Sequence, residues 1–409
     1  MLLAGFVRRI LQVGTIVLIG PDGKTHRIEA PRPGPTVTMR VHDRRTARRL
    51  LLDPRLAFGE AYMNGTLTVE DGTIYDFLDL MGHSMEAFEN HPMQVFATRA
   101  SYWLRGLQQY NPVGRAQKNV AHHYDLSGAL YDLFLDADRQ YSCAYFITPQ
   151  DTLEQAQLQK KRHIAAKLRI APGQKLLDIG CGWGGLGLYL AQQCGAQVTG
   201  VTLSVEQQKL ASERAAKAGL GDRARFLLRD YRDDNDRYDR IVSVGMFEHV
   251  GSRHYLEYFR KVKELLADDG VFLLHAIGRM EPPGNTNKWL RKYIFPGGYT
   301  PALSEVMSAI ERTGLWVTDV EVLRLHYAQT LRHWRERFMA NRERAKALYD
   351  ERFCRMWEFY LAGCEVSFRY MRQFVFQIQI TKQQDAVPLT RDYMIEAEHD
   401  LLQNNLAAE

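Results

Sequence analysis

KLLDIGCGWGGLGLYL, residues 175–190, is the stretch on which the fold turns. A short apolar run ends at Ile179, glycines crowd the next six positions, and an apolar segment that reads as a helix follows through GLGLYLAQQCG. Strand, glycine-rich turn and helix in that order open a nucleotide-binding α/β unit. The same texture continues outward. QKLLDIG, AQVTGVTLS, ARFLLRD, YDRIVSVGMF and VFLLHAIG read as strands, and GLGLYLAQQCG, VEQQKLASERAAKAGL and YLEYFRKVKELLADDG as helices between them. Such alternation builds a parallel sheet covered on both faces. Upstream, TLEQAQLQKKRHIAAKLRI predicts an amphipathic helix, with apolar residues returning every three or four positions. Downstream, LRHWRERFMANRERAKALYDERFCRMWEFYLAGCEVSFRYM is long, basic and helical, and FVFQIQITK reads as a closing strand.

The N-terminal part is built differently. TIVLIGPDGKTHRIEA sets two short apolar runs around Pro-Asp-Gly and predicts a hairpin. PTVTMRVHD reads as another strand, and DRRTARRLLLDPRLAFGEAYMNG as helix broken at Pro54. This is a small α+β domain ending near residue 85, followed by a polar, aromatic connection containing Pro92 and Pro112. The expected division is therefore 1–115 and 116–409.

With 409 residues and 45% apolar composition the chain can bury two or three cores. No run of about 18 apolar residues exists, so no bilayer-spanning segment is expected. The opening MLLAGFVRRILQVGTIVLIG resembles a secretion signal, but arginines interrupt it and no small-residue cleavage site follows; it reads as retained. Five cysteines at irregular positions (143, 181, 194, 354 and 364) make neither a disulfide framework nor a zinc spacing, which points to a reducing cytoplasm. Residues 1–50 carry ten Lys/Arg against three acids, a local excess of seven in a chain whose net charge is +5. A basic region beside MLLAGF suits anionic phospholipid headgroups or nucleic acid, or is an ordinary solvated face.

Gly180, Gly182 and Gly185 fit the dinucleotide fingerprint, while Gly180, Gly182 and Gly184 fit the looser loop of S-adenosylmethionine enzymes. A dinucleotide site ends its second strand with an acid that binds ribose. Here that strand ends VTGVTLS, with Thr202 and Ser204 where the acid belongs. The acid instead precedes the loop, at Asp178. A carboxylate there suits an ammonium and a sulfonium and would repel a pyrophosphate. S-adenosylmethionine is the better reading.

LLDIGCGWGG, GVTLSVEQ, DRIVSVGMFEHVG and YSCAYF together resemble the cyclopropane-fatty-acyl-phospholipid synthases and the related mycolic-acid cyclopropane synthases; AHHYDLSGALYDLFLD and GEAYMNG extend the likeness toward the N-terminus. The resemblance implies a Rossmann-like class I methyltransferase domain preceded by a smaller α+β lipid-binding domain. It implies S-adenosylmethionine contacts at Tyr141, Ser142, Asp178, Gly180, Cys181, Gly182, Gly184, Thr202, Leu203, Gln207 and the turn Asp230, Tyr231, Arg232. Gln207 would take the ribose hydroxyls, and the Tyr231 neighbourhood would flank adenine.

The family adds a methylene across a cis double bond of an acyl chain, with bound bicarbonate as base. An alkene is a poor nucleophile, so methyl and π bond must be held in line in a dry pocket, and a proton must then leave the added methyl. Matching positions imply a bicarbonate site of Cys143, Glu248, His275, the Ile277 backbone and Tyr327. Phe247, Tyr145 and Trp183 are candidate aromatic walls for developing positive charge. Cys364 stands where a nucleophilic cysteine has been placed in the family, although its neighbours are apolar and the reaction needs no thiolate. Glu248 and His249 are adjacent and point different ways, and no third ligand is spaced for a metal; none is expected.

A phospholipid substrate requires peripheral docking on the inner face of the membrane. The basic N-terminus and NKWLRKYIFPGGYTP (287–301), with Trp289, Tyr293, Phe295 and Tyr299 among Lys288, Arg291 and Lys292, are the candidates; the second also reads as a folded lid. The resemblance implies a homodimer. Alternatives are a methyltransferase giving methyl-branched or methylene chains, or a lipid-binding protein that has lost catalysis. Nucleic-acid methylation would want motifs that are not present.

Overall fold

The computed structural model describes residues 2–89 and 127–408. The connection through Pro92 and Pro112, the expected boundary at 115 and the start of AHHYDLSGALYDLFLD lie outside the described residues. The chain forms two compact units, and neither is one continuous segment. One takes residues 1–108, 284–296 and 328–373; the other takes 109–283, 297–327 and 374–409. Sequence reading places everything after 115 in the second domain, whereas two later segments group with the first.

The first unit carries a four-stranded sheet in the order β2-β1-β3-β4. The expected hairpin is β1 (Val13–Ile19) and β2 (Thr25–Glu29), paired antiparallel with Ile16 opposite Ile28. β3 (Arg32–Val41) runs parallel to β1, and β4 (Leu67–Asp71) antiparallel to β3. Ile16, Leu18, Ile28, Val37, Met39 and Val41 bury their side chains against Leu50 and Leu80 of the helices. Pro54 stops one helix (Arg44–Leu52) and starts the next (Pro54–Met63), its missing N–H costing nothing at a first helical turn. The long basic stretch is three helices, His326–Ala340, Arg342–Leu348 and Glu351–Tyr370. Asp350 caps the last by accepting the Phe353 N–H at 2.6 Å. Its basic character is locally neutralised: buried Glu365 accepts from Arg335 and Arg369, and Glu351 from Arg342 and Arg355.

The second unit is built on a seven-stranded sheet, β10-β11-β9-β8-β5-β6-β7. β5 (Lys175–Ile179), β6 (Gln197–Thr202), β7 (Ala224–Leu228), β8 (Tyr238–Val244) and β9 (Leu266–Arg279) pair in parallel. β11 (Gln373–Thr381) pairs antiparallel with β10 (Trp316–Val322), a strand the sequence reading missed. WVTDVEV carries Asp319 and Glu321 and is only half-buried, so it lacks the apolar signature of its neighbours. From β5 the chain steps outward through β6 to β7, then returns to place β8 on the other side. The order thus reverses between β5 and β8, where open α/β sheets hold their ligands at the strands' carboxyl ends. The helix Leu153–Leu168 also departs from expectation: Gln157, Lys160, His163 and Lys167 are buried alongside Ala156 and Ile164.

Candidate active site

A cleft opens at that switch point. The turns after β5, β6, β7 and β8 form its walls, and residues 139–142 close one side. Every residue assigned to the cofactor in the sequence lines it, except Gly184. Gly182 sits at φ 54°, and a Cβ there would meet no atom within 4 Å, so the backbone lies open to a ligand. Gly184, at φ 82°, is different: a Cβ would lie 2.8 Å from Ala211 and 2.9 Å from the Phe226 ring. It serves helix–sheet packing rather than the cleft.

Three buried polar atoms in the cleft wall have no partner among the described residues: Asp178 Oδ2, the Trp183 indole N–H and His254 Nε2. Asp178 supplies an acceptor and Trp183 a donor. Burial pushes the Asp178 carboxyl up to about 7, with Lys160 the opposing charge. Beyond β6, the Thr202 hydroxyl donates to Gln207 Oε1 at 2.7 Å, so the Gln207 NH₂ is not spent on it. Ser204 caps the following helix by accepting from the Gln207 N–H at 3.3 Å, fixing that residue's backbone as well. After β7, Asp230 accepts from the Arg232 backbone and, in a fork, from its guanidinium at 2.9 and 2.7 Å. Its carboxylate therefore organises the turn. Tyr231 packs edge-on against Tyr258 with ring centroids 5.4 Å apart.

Of the residues assigned to catalysis, Glu248, His275 and Ile277 lie around the ends of β8 and β9. Glu248 sits in a short turn (Phe247–His249), and its Oε1 accepts the Ile277 N–H at 2.6 Å. That bond occupies the Ile277 amide assigned to the anion. Glu248 Oε2 is buried without a partner among the described residues, and burial pushes the carboxyl up to about 7. His275 accepts at Nδ1 from the Gln377 amide, 3.2 Å away. Burial, then Lys160 and Lys167, hold its ring down at about 3, so it is neutral with a proton on Nε2. Cys143 is buried, its thiol donating to the Ala144 carbonyl at 3.3 Å. Tyr327 is half-buried near the start of its helix. Cys364 belongs to the first unit, whereas the other five belong to the second. It is partly exposed as a residue, yet its thiol is desolvated and pushed up to about 12, which leaves no thiolate near neutrality.

Three further expectations are corrected. Trp289 is 1% exposed, packs edge-on to Phe359 and donates to Met63 Sδ; Tyr299 is buried and donates to Glu305. Lys288 and Lys292 pair with Asp53 and Glu60. The 287–301 stretch therefore spends its anchors on protein, not lipid. Phe247 is a core residue stacked on Tyr255, and Tyr145 stacks between His163 and His326. Of the proposed aromatic walls only Trp183 lines the cleft.

Sequence reading missed Gln140 and Lys160, and weighed His249 only as a metal ligand. Gln140 and His249 line the cleft, and burial holds His249 down at about 4. Lys160 is fully buried behind Gln140 and Ser142, donating to both. Gln157, Lys160, His163 and Lys167 recur at helical spacing on one face, which a polar pattern assigns to solvent.

The chemistry of the cleft fits S-adenosylmethionine. An unpartnered carboxylate and an unpartnered N–H complement an ammonium and a carboxylate, an amide NH₂ is set for hydroxyls, and an open glycine turn lies between them. Comparisons with known proteins agree. The family model "Mycolic acid cyclopropane synthetase" matches residues 113–378. The chain is 38% identical over 343 residues to a "Probable fatty acid methyltransferase" of Pseudomonas putida, covering 82% of this chain and 84% of that protein. It is 40% identical over 322 residues to the "Cyclopropane-fatty-acyl-phospholipid synthase" of Escherichia coli K12, covering 79% and 82%. The crystal structure of mycolic acid cyclopropane synthase CmaA1 complexed with SAH and CTAB superposes with a TM-score of 0.62 at 35% identity, over 66% of this chain and 99% of that one. The chain is therefore a member of the mycolic acid cyclopropane synthetase family, a family of S-adenosylmethionine-dependent methyltransferases.

Proposed function

We propose that this enzyme forms cyclopropane rings on cis-unsaturated acyl chains of membrane phospholipids, with bicarbonate as the base. The observation that carries the reading is the pairing of two buried, incompletely used polar sites. Asp178 and Trp183 stand in the cleft, and Glu248 stands beyond β8 with one free oxygen beside the His275 strand. S-adenosylmethionine, when bound, supplies an electrophilic sulfonium methyl. Asp178 and Trp183 would hold its charged tail, Gln207 its ribose, and the Asp230–Arg232 turn its base.

The protein's own groups then orient and exclude. Trp183 presents an aromatic wall next to the donor pocket, where a π face stabilises positive charge by about 0.5–2 kcal/mol. Glu248, fixed by the Ile277 amide, can accept a proton at Oε2; its carboxyl near 7 makes that exchange close to thermoneutral at neutral pH. Neutral His275 can donate from Nε2. Bicarbonate, when bound, would supply a base carrying both donor and acceptor sites, which a free carboxyl oxygen and an imidazole N–H match. Cys143 and Tyr327 would complete that site; Cys364 has no part in this reading.

Membrane access is read from the first unit. No helix among the described residues is long and apolar enough to cross a membrane. The helices Leu2–Ile10 and Arg44–Leu52 pack together in that unit and expose Arg8, Arg9, Arg44, Arg45 and Arg48, with Leu2 and Leu52 about four-fifths exposed. Arginines beside two protruding leucines suit an anionic, peripheral lipid surface.

A second reading, transfer that ends in a methyl-branched or methylene chain, is favoured by the names of relatives at similar identity. The Pseudomonas protein and a "Tuberculostearic acid methyltransferase" of Mycobacterium tuberculosis, 39% identical over 343 residues, are both named for methylation. Incubation with oleoyl phospholipid vesicles and the methyl donor, followed by acyl-chain mass analysis, separates the two. A gain of one CH₂ with no residual double bond is expected; retained unsaturation or a saturated methyl branch supports the second reading.

A further inference from the structure

We infer that Lys160 is a positioning residue of the donor pocket, acting on the methionyl tail through Gln140 and Ser142 and through its charge beside Asp178. This rests on the reading of the cleft as the S-adenosylmethionine site. Residues 139–142 form no helix or strand, yet they make one wall of the cleft. What fixes them is one face of the helix Leu153–Leu168. Gln157 Nε2 donates to the carbonyls of Gln140 and Ser142 at 3.2 and 3.0 Å. One turn on, Lys160 Nζ donates to Gln140 Oε1 at 2.7 Å and to Ser142 Oγ at 2.8 Å. Backbone and side chains of the same two residues are thus held by an i, i+3 pair.

A lysine is an expensive way to hold two neutral acceptors. Lys160 is fully buried, and its Nζ makes no ion pair within 4 Å among the described residues. A glutamine could satisfy Gln140 and Ser142 at far lower desolvation cost. The charge therefore has another use. Lys160 is the one charged group opposing burial at Asp178, whose Oδ2 is an unpartnered acceptor of the cleft among the described residues. It also acts on His275, and Asp136, Asp138, Lys161 and Cys143 face it in turn. An anionic Asp178 attracts the ammonium of a zwitterionic tail, while Gln140, whose Nε2 donates to Asp138 Oδ2 at 3.0 Å, and Ser142 are held in place in the cleft wall.

The test uses the full-length protein and two ligands that differ only in that tail: S-adenosylhomocysteine and 5′-methylthioadenosine, titrated calorimetrically. Lys160→Met is expected to weaken S-adenosylhomocysteine about ten-fold or more and methylthioadenosine less than two-fold, with Lys160→Arg recovering most of the loss. Equal weakening of both ligands, or no change in either, overturns the inference. Should Lys160→Met fail to fold by circular dichroism, Ser142→Ala carries the test, with the same selective loss expected, about five-fold, and an unselective effect or none counting against it. Failure of the wild-type protein to bind either ligand would instead refute the underlying reading of the cleft.

Discussion

Replacing Asp178 with Asn should flatten the pH dependence of donor binding, and the size of the effect follows from the carboxyl's environment. In the ligand-free fold, burial lifts Asp178 to about 7 against the pull of Lys160. A cationic tail favours the ionised form, so binding at low pH must first expel a proton. The ionised fraction is roughly 3% at pH 5.5 and about half at pH 7, given a midpoint near 7. Apparent affinity for S-adenosylhomocysteine should therefore rise about fifteen-fold across that interval, or about 1.6 kcal/mol. The ligand's α-amino group stays protonated over this range. Calorimetry in buffers of different ionisation enthalpy should show about 0.9 proton released per ligand at pH 6. In Asp178→Asn both the release and the slope should largely disappear, which separates Asp178 from His254 and Glu257 elsewhere in the cleft. A wild-type affinity that is level from pH 5.5 to 7, with no proton released, would refute the reasoning.

Gly184→Ala and Gly182→Ala should part company: the first combines a left-handed backbone with steric overlap and should lower stability by about 2–4 kcal/mol in urea titrations, the second by about 1 kcal/mol. Gly182→Ala should be the one that loses donor affinity, since its backbone lies open to the cleft. Burial opposes a charge on His163, but hydrogen bonds with Glu321 and Glu398 outweigh it and raise its pKa. The resulting stability is complete below the imidazole's unfolded value of 6.5 and fades as pH rises through the raised folded value. Glu398→Gln should thus cost about 2 kcal/mol in thermal or urea unfolding at pH 6 and clearly less at pH 9. Converting Arg44, Arg45 and Arg48 together to Gln should weaken binding to phosphatidylglycerol vesicles roughly a hundred-fold, at about 1 kcal/mol per arginine, and leave phosphatidylcholine binding unchanged in a sedimentation assay.

The parallel sheet was readable because its strands carry short apolar runs ending at a polar or glycine turn, as at Ile179–Gly180 and Thr202–Ser204, although β9 begins at Leu266, within the stretch LLADDG that reads as the end of a helix. β10 was not, because an edge strand carrying Asp319 and Glu321 is nowhere more than partly buried and so writes no clear alternation. The cleft was legible through Asp178 and the glycines, whose spacing reports backbone geometry directly. Gly184 misled because a left-handed glycine required for packing against Ala211 looks, in sequence, like one required for a ligand. Lys160 was hidden for a related reason. Periodicity scores a lysine as solvent-facing, and only the tertiary structure shows that this one is enclosed. The aromatic run 287–301 misled in the opposite sense, since Trp289 and Tyr299 look like membrane anchors until their protein partners are known.

The central claim is that the cleft at the carboxyl ends of β5 to β8 holds the methyl donor. A crystal structure of the enzyme grown with S-adenosylhomocysteine tests it most directly. The account predicts the amino-acid tail within hydrogen-bonding distance of Asp178 and Trp183, the ribose on Gln207 and the base beside Tyr231. Ligand density away from the glycine turn, or a tail pointing away from Asp178, would contradict it.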